Sequence, residues 1–297
     1  MQHIPVLAKE VLHWLNPQPG QSFIDATLGL GGHAKLILEA IGPEGQLIGF
    51  DRDARNVAIA KENLKAFEQQ IRFIHESFGE MDQYDLPMVH GVLFDLGFSS
   101  AHVDDPERGF SFRHDGPLDM RYDQQQAVSA ETIINGWSKD ELAKLFRQLG
   151  EEPFAAKITN AIFHARRKMR ITTTRQLADI VATAKPGNPK RHPATQVFQA
   201  LRIAVNNEFE EIEKGLTSAV HLLHPGGRIA VLSFHSIEDR MIKNFFKGAP
   251  DLEVLTKKPV QPHYLEVKSN KRARSAKLRV VQKTEYDKKG EAQLETD

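Results

Sequence analysis

Three aspartates and a run of glycines carry most of the chemistry that can be read from this sequence. Asp51 and Asp95 each close a short apolar run, Asp25 lies within another, and Gly29, Gly31 and Gly32 follow the run that holds Asp25. A glycine-rich turn lets backbone come close to a ligand, and the helix-like segment after it, Ala34 to Ile41, offers free amides at its start. Asp51 stands 22 residues after Gly29, about where an acidic side chain accepts hydrogen bonds from ribose hydroxyls. Together these residues describe a site for a nucleoside cofactor.

Two cofactor classes compete for it. The dinucleotide fingerprint is G-x-G-x-x-G, whereas Gly29-Leu30-Gly31-Gly32-His33-Ala34 lacks the third glycine, which packs helix against strand. Asp25, four residues ahead of the loop, suits the cationic methionyl end of S-adenosylmethionine (SAM) better than a pyrophosphate. SAM is therefore favoured over a nicotinamide cofactor.

A sulfonium is already a strong methyl donor, so positioning dominates the transfer. An exocyclic amine on a base is a poor nucleophile, and a hydrogen-bond acceptor that draws its protons out of the ring plane helps it attack. Asp95 is placed to be that acceptor, and Phe98 offers a face on which a flipped base could stack. The plainer alternatives are a strand-end carboxylate that caps nearby amides and a core phenylalanine. The chain has no cysteine, which excludes disulfides, cysteine-held zinc and a thiolate nucleophile. Methylation at carbon 5 of a pyrimidine, which normally runs through a cysteine adduct, is thereby disfavoured against methylation at nitrogen or oxygen.

These residues need strands to hold them. Ser22 to Leu28, Gln46 to Asp51, Ile71 to Glu76 and Gly91 to Leu96 read as short buried strands, with helices between them, one of which Asp53 can cap. Strands alternating with helices pair in parallel, so the ligand crevice is expected at their carboxyl ends. The pattern breaks near Asp104, where Arg108 to Gln126 is rich in glycine, proline and charge. Helical segments follow, the first opened by the capping box Ser138-Lys139-Asp140-Glu141 and stopped by Gly150. A helical stripe from Phe209 to Leu223 ends at Pro225-Gly226-Gly227, and Arg228 to Phe234 resumes the strand pattern. The expected fold is α/β, a Rossmann-like sheet built from residues 1–103 and 208–297, with a mainly helical domain inserted at 104–207.

Bulk properties narrow the setting. A chain of 297 residues with 40% apolar residues can bury a full core, and 39 basic residues balance 39 acidic ones. Attraction to nucleic acid must then come from local patches. Nine Lys or Arg and one acidic residue lie between Lys157 and Arg191, and seven basic residues with no acidic one lie between Lys268 and Lys283. Such runs neutralise phosphates, although most charge runs are merely solvated faces. No apolar stretch of about 18 residues is present and the first twenty residues do not read as a signal peptide, so a cytoplasmic protein without membrane attachment is expected. The histidines lack H-E-x-x-H spacing, and no metal site is expected. Ser233, His235 and Asp239 could be drawn as a hydrolytic triad, but the G-x-S-x-G elbow is missing, and Ser236 with Asp239 reads as a helix cap.

Six segments carry a family resemblance. DATLGLGGH (25–33), DLGFSSAHVDDPERGFSFR (95–113), GPLDMR (116–121), FQALRIAVNNEF (198–209), FHSIEDR (234–240) and NKRARSAKLR (270–279) resemble the bacterial RsmH family, also called MraW. The resemblance spans nearly the whole chain in order. It implies SAM-dependent methylation of N4 of a cytosine in the decoding region of 16S ribosomal RNA, with small-subunit RNA or the 30S subunit as partner. It further implies SAM contacts at Gly31, Gly32, His33, Asp51, Phe78 and Asp95. One more contact, usually glutamine, falls on His102 in SSAHVDD, and Tyr122 replaces the methionine that usually follows GPLDMR. A ribosome-assembly factor with a vestigial SAM pocket is the alternative of a different class, and the sequence leaves a homodimer open.

Overall fold

The computed structural model describes residues 5–97, 105–185 and 192–284. The chain divides into two compact units, Met1–Gly97 with Glu210–Asp297, and Phe98–Phe209.

The first unit is built on a seven-stranded sheet. Its strands are β1 (Ser22–Asp25), β2 (Gln46–Phe50), β3 (Ile71–Ile74), β4 (Val89–Asp95), β5 (Leu223–Ser233), β6 (Leu252–Val254) and β7 (Lys277–Lys283), in the order β3-β2-β1-β4-β5-β7-β6. The first five pair in parallel, while β7 runs antiparallel to both β5 and β6. Chain order reverses between β1 and β4, which makes the carboxyl ends of those two strands the place for a ligand crevice. The central strands are apolar on both faces because helices cover both. Phe23, Ile24, Phe50 and Phe94 are almost completely buried. Helices α1 (Ala8–Leu15), α2 (Gly32–Ile41) and α3 (Ala54–Asn63) supply part of that cover. Val11, Leu15, Ile37, Leu38 and Ile41 belong to the same buried core. Asp53 caps α3 as its sequence suggests, accepting from the Arg55 amide at 2.9 Å.

Two details of this unit differ from the sequence reading. Pro225-Gly226-Gly227 is not a turn ahead of the strand. Leu223 already pairs with Val89, and the register then shifts so that Arg228 pairs with Gly91, which leaves the Pro-Gly-Gly step as an irregularity within β5. Strands β1, β2 and β3 also stop one to three residues earlier than the apolar runs suggest. The chain stays tethered beyond them, since the Ala26 amide donates to Leu93 and the Leu28 amide to Phe50.

The second unit is helical, with α4 (Ala130–Gly136), α5 (Lys139–Gly150), α6 (Ala155–Lys168), α7 (Thr174–Ala184) and α8 (Thr195–Val205) around their own core of Leu142, Phe146, Ile158, Leu177, Val197 and Leu201. The capping box at Ser138 and Glu141 forms as expected. Gly150 does not stop α5, which closes instead on Glu151 in the left-handed region. A Cβ on Gly150 would come within 2.6 Å of the Gln196 carbonyl oxygen, so the glycine is required by close packing against α8. Helix α9 (Glu208–Leu222), which begins at the boundary between the units, leads into β5, and in the first unit α10 (Ser236–Gly248) follows β5 and the short α11 (Tyr264–Ser269) precedes β7.

Candidate active site

The glycine loop that leaves β1 is held from three sides. Gly29 has φ 52° and Gly31 φ 84°, so both occupy the left-handed region that glycine tolerates best. A Cβ on Gly31 would lie 2.9 Å from Leu64 Cδ1, and one on Gly32 would lie 2.9 Å from Pro5 Cγ. Asp51, just past β2, completes the hold. Its carboxylate accepts from the amides of Gly29 and Asp53, both at 2.8 Å, and from Asn56 Nδ2 at 3.2 Å. Burial raises the Asp51 carboxyl to about 6, against the pull of those hydrogen bonds. The sequence marked Asp51 for a ribose. The structure shows that the same carboxylate also fixes the loop, through a bond to Gly29 that no motif spells out.

Asp25 closes β1 and is 1% exposed. Its Oδ1 accepts from the Thr27 amide at 3.1 Å, and its Oδ2 has no hydrogen-bond partner among the described residues. Burial pushes its carboxyl up to about 7. Nearby His33 acts in the opposite direction, while Asp95 and Asp51 add to the rise.

Asp95 closes β4, and its amide donates to Thr27 Oγ1 at 2.6 Å. The turn beyond β1 thus positions the end of β4, a tie between residues 68 apart that no local pattern marks. Asp95 Oδ2 lies 3.5 Å from His33 Nε2, in the first turn of α2. No hydrogen bond forms there, so the pair meets by proximity alone. Phe78 follows β3, whose end lies beside that of β2. Its ring meets Phe94 edge-on at 5.4 Å and rests on α9, where a Cβ on Gly215 would come within 2.6 Å of Phe78 Cδ2. The turn that carries Phe78 is anchored by a hydrogen bond from Ser77 Oγ to Glu211. Gly31, Gly32, His33, Asp51 and Phe78 follow the carboxyl ends of β1, β2 and β3, and Asp95 closes β4, whereas Phe98 and His102 lie outside the described residues.

Across residues 1–284 the sequence matches the pattern that defines the MraW methylase family. The chain belongs to that family. It is 47% identical over 282 residues to the ribosomal RNA small subunit methyltransferase H of Cyanothece sp., covering 95% of this chain and 94% of that one. It is 43% identical over 308 residues to the protein of the same name from Halothermothrix orenii, at 95% and 99% coverage. Among solved structures it is similar to a SAM-dependent O-methyltransferase from Thermotoga maritima, at 10% identity and a TM-score of 0.46, covering 97% of this chain and 69% of that one. The fold assignment rests on the strand order, not on that likeness.

The family is one of methylases, whose reaction needs a methyl donor, and SAM is the donor that the residues of the glycine loop imply. One feature of the structure fits that group: the buried Asp25 Oδ2 lacks a partner that a cationic ligand would provide. The space beside Gly31 and Gly32 is taken by Leu64 and Pro5, so packing alone already requires those glycines.

The most recognisable motif turns out to be framework. Arg108 of RGFSFR is 3% exposed and donates to the carbonyl oxygens of Arg121 and Tyr122 at 2.8 and 2.9 Å. Asp119 and Arg121 of GPLDMR form a two-pronged pair at 2.8 and 2.7 Å. The FHSIEDR segment is also structural. His235 caps α10 by accepting from the Glu238 amide at 3.3 Å, in place of the expected Ser236, and Asp239 is taken by Arg279 at 2.6 Å and Lys277 at 3.0 Å. A Ser233–His235–Asp239 triad is not formed.

The two basic runs are thinner than their composition. In the C-terminal run Lys277 and Arg279 serve Asp239, while Lys283 Nζ donates to the carbonyls of Val220 and Leu223. In the helical run Arg166 donates to Ile134 and Trp137, Arg170 pairs with Glu131, and Lys185 pairs with Glu152. Lys157, Arg167, Lys168 and Arg175 are exposed, and Lys190 and Arg191 fall outside the described residues.

Proposed function

We propose that this chain transfers the methyl group of SAM to N4 of a cytosine in the decoding region of 16S ribosomal RNA. The observation that carries the reading is the meeting of three aspartates and one glycine loop at the carboxyl ends of β1, β2 and β4, in a chain of the MraW methylase family. The name of its relatives, ribosomal RNA small subunit methyltransferase H, supports a small-subunit RNA substrate.

Each residue then has a task. Gly31, Gly32 and the His33 amide line the cofactor, Asp51 accepts from its ribose, and Phe78 stands beside its adenine. His102 takes the place of the glutamine usual in relatives. Asp95 accepts a hydrogen bond from the cytosine amino group, which turns the nitrogen lone pair toward the methyl and gives the departing proton a first acceptor. SAM supplies an activated methyl group, so the protein needs no nucleophile of its own. Exposed Lys157, Arg167, Lys168 and Arg175 on the helical unit contact RNA phosphates, and that unit serves substrate recognition. Among the described residues no helix is long and apolar enough to cross a membrane.

The test is direct. Purified protein, SAM labelled on its methyl group and small subunits are incubated, and the RNA is digested to nucleosides. N4-methylcytidine as the labelled product is the expected result. Label on carbon 5 or on another base overturns the assignment. Subunit binding with no label, in protein that does not bind SAM, favours an assembly factor with a vestigial pocket.

A further inference from the structure

The C-terminal strand gives up most of its charge to the protein itself, yet the edge of the sheet beside it is cationic. A cavity of about 310 Å³ opens there between α10 and the β6–β7 edge. Lys243, Lys247, Lys257 and Arg279 line it over an apolar floor that includes Phe246 and Val254, and no carboxylate is among its lining residues. Arg279 is neutralised by Asp239, but the three lysines are exposed and have no ion-pair partner among the described residues. Lys243 and Lys247 are one helical turn apart on the same face of α10, where like charges repel unless an anion lies between them. Asp239, a further turn back, is already shared by Lys277 and Arg279. Glu253 of β6 is turned away, because successive strand residues point to opposite faces and Val254 is the one that faces the cavity.

The place matters as much as the charge. Val254 pairs with Val281, Val281 with Ile229 and Ile229 with Val92, so the cavity lies three strands across and three residues back from Asp95, on the sheet face opposite the Asp95–Leu232–Leu278 row. Spacings of about 4.8 Å across the strands and about 3.3 Å along them put it roughly 17 Å from Asp95. A strand of RNA that rounds this edge of the sheet would place a phosphate in the cavity several nucleotides from the base being methylated.

We propose that this cavity is an RNA-backbone contact, in which Lys243, Lys247 and Lys257 hold phosphates of the segment flanking the methylated nucleotide. The inference rests on the ribosomal-RNA reading above and adds to it a surface that the basic runs of the sequence did not mark. Neither phosphate-neutralising run contains Lys243, Lys247 or Lys257.

The experiment compares the native chain with the triple variant Lys243→Gln, Lys247→Gln, Lys257→Gln, and with a control triple at the opposite sheet edge, Lys61→Gln, Lys65→Gln, Arg72→Gln. Binding to small subunits is measured across a salt series, with calorimetric SAM binding and the melting temperature as controls on folding. Three phosphates at about 0.7 each predict that the slope of log K against log salt becomes shallower by about 2 in the cavity variant. Affinity falls tenfold or more, while SAM binding and melting hold and the control triple stays near native. Native slope and affinity in the cavity variant overturn the proposal, and so does equal weakening by both triples, which means a diffuse field. A native chain that binds SAM but no subunit sinks the RNA reading itself and the cavity with it.

Discussion

His33 Nε2 lies 3.5 Å from Asp95 Oδ2, so the first turn of α2 and the end of β4 meet through one imidazole and one carboxylate. The loop that would hold SAM and the group that would hold the substrate amine thereby lie side by side, and Thr27 ties the same strand end through the Asp95 amide. Asp95 is only 24% exposed at its side chain, so its charge is only partly screened. If it accepts the amine proton, Asp95→Ala should slow single-turnover methylation at saturating SAM by about 10²- to 10⁴-fold. RNA affinity should change little by comparison. Full single-turnover rate in that variant would remove Asp95 from the chemistry.

Asp51 joins the loop to the next strand through charge-assisted hydrogen bonds to Gly29 and Asp53. Such bonds contribute about 1.5–3 kcal/mol each. Asp51→Ala should therefore weaken SAM binding by roughly 10- to 100-fold in calorimetry, with kcat at saturating SAM less affected than KM for SAM. An unchanged dissociation constant would mean that the loop holds without it.

The RGFSFR and GPLDMR segments should matter for folding more than for chemistry. Gly109 has φ 69°, and a Cβ there would lie 2.2 Å from the Pro117 carbonyl oxygen, a backbone atom that cannot swing aside. Gly109→Ala is expected to cost at least ~2 kcal/mol in denaturant unfolding of the helical unit. Gly136→Ala, at a helical glycine with nothing within 4 Å, should be neutral or slightly stabilising. Equal effects from the two would show that the motif's backbone contacts are not what the glycine protects.

Much of this is legible in the sequence. The strands, the glycine loop and the capping box at Ser138 are written in short local patterns, and Asp51 in its spacing from the glycine loop. The parts that depended on distant partners were not legible. Asp95 leans on Thr27, 68 residues earlier, and Arg108 is absorbed by carbonyls 13 and 14 residues on. Gly150 looked like a helix stop because glycine often is one, but its lack of a side chain answers to Gln196 across a helix interface. Charge runs misled in the same way. Lys277, Arg279 and Lys283 count as basic in a one-dimensional sum and are internal ties in three dimensions.

The burial of Asp25 makes a prediction about pH whose sign can be worked through. Its carboxyl rises from 3.8 in an unperturbed setting to about 7 in the fold, chiefly through burial. Between those values the folded protein keeps a proton that the unfolded chain has lost, so stability decreases as pH climbs through the window. Below about 4 both states are protonated and the penalty vanishes. Above about 7 it is complete, on the order of 4 kcal/mol at 1.36 kcal/mol per unit. Asp51, raised to about 6, acts with the same sign over a shorter range. Asp25→Asn removes the ionisable group but keeps its shape. The stability of the variant relative to native, from urea unfolding without SAM, should therefore improve by several kcal/mol between pH 4.5 and 7.5, a smaller part of it from relief of the repulsion between Asp25 and Asp51. A difference that stays flat over that range would mean that Asp25 is ionised in the fold, with some group satisfying the oxygen that lacks a partner here.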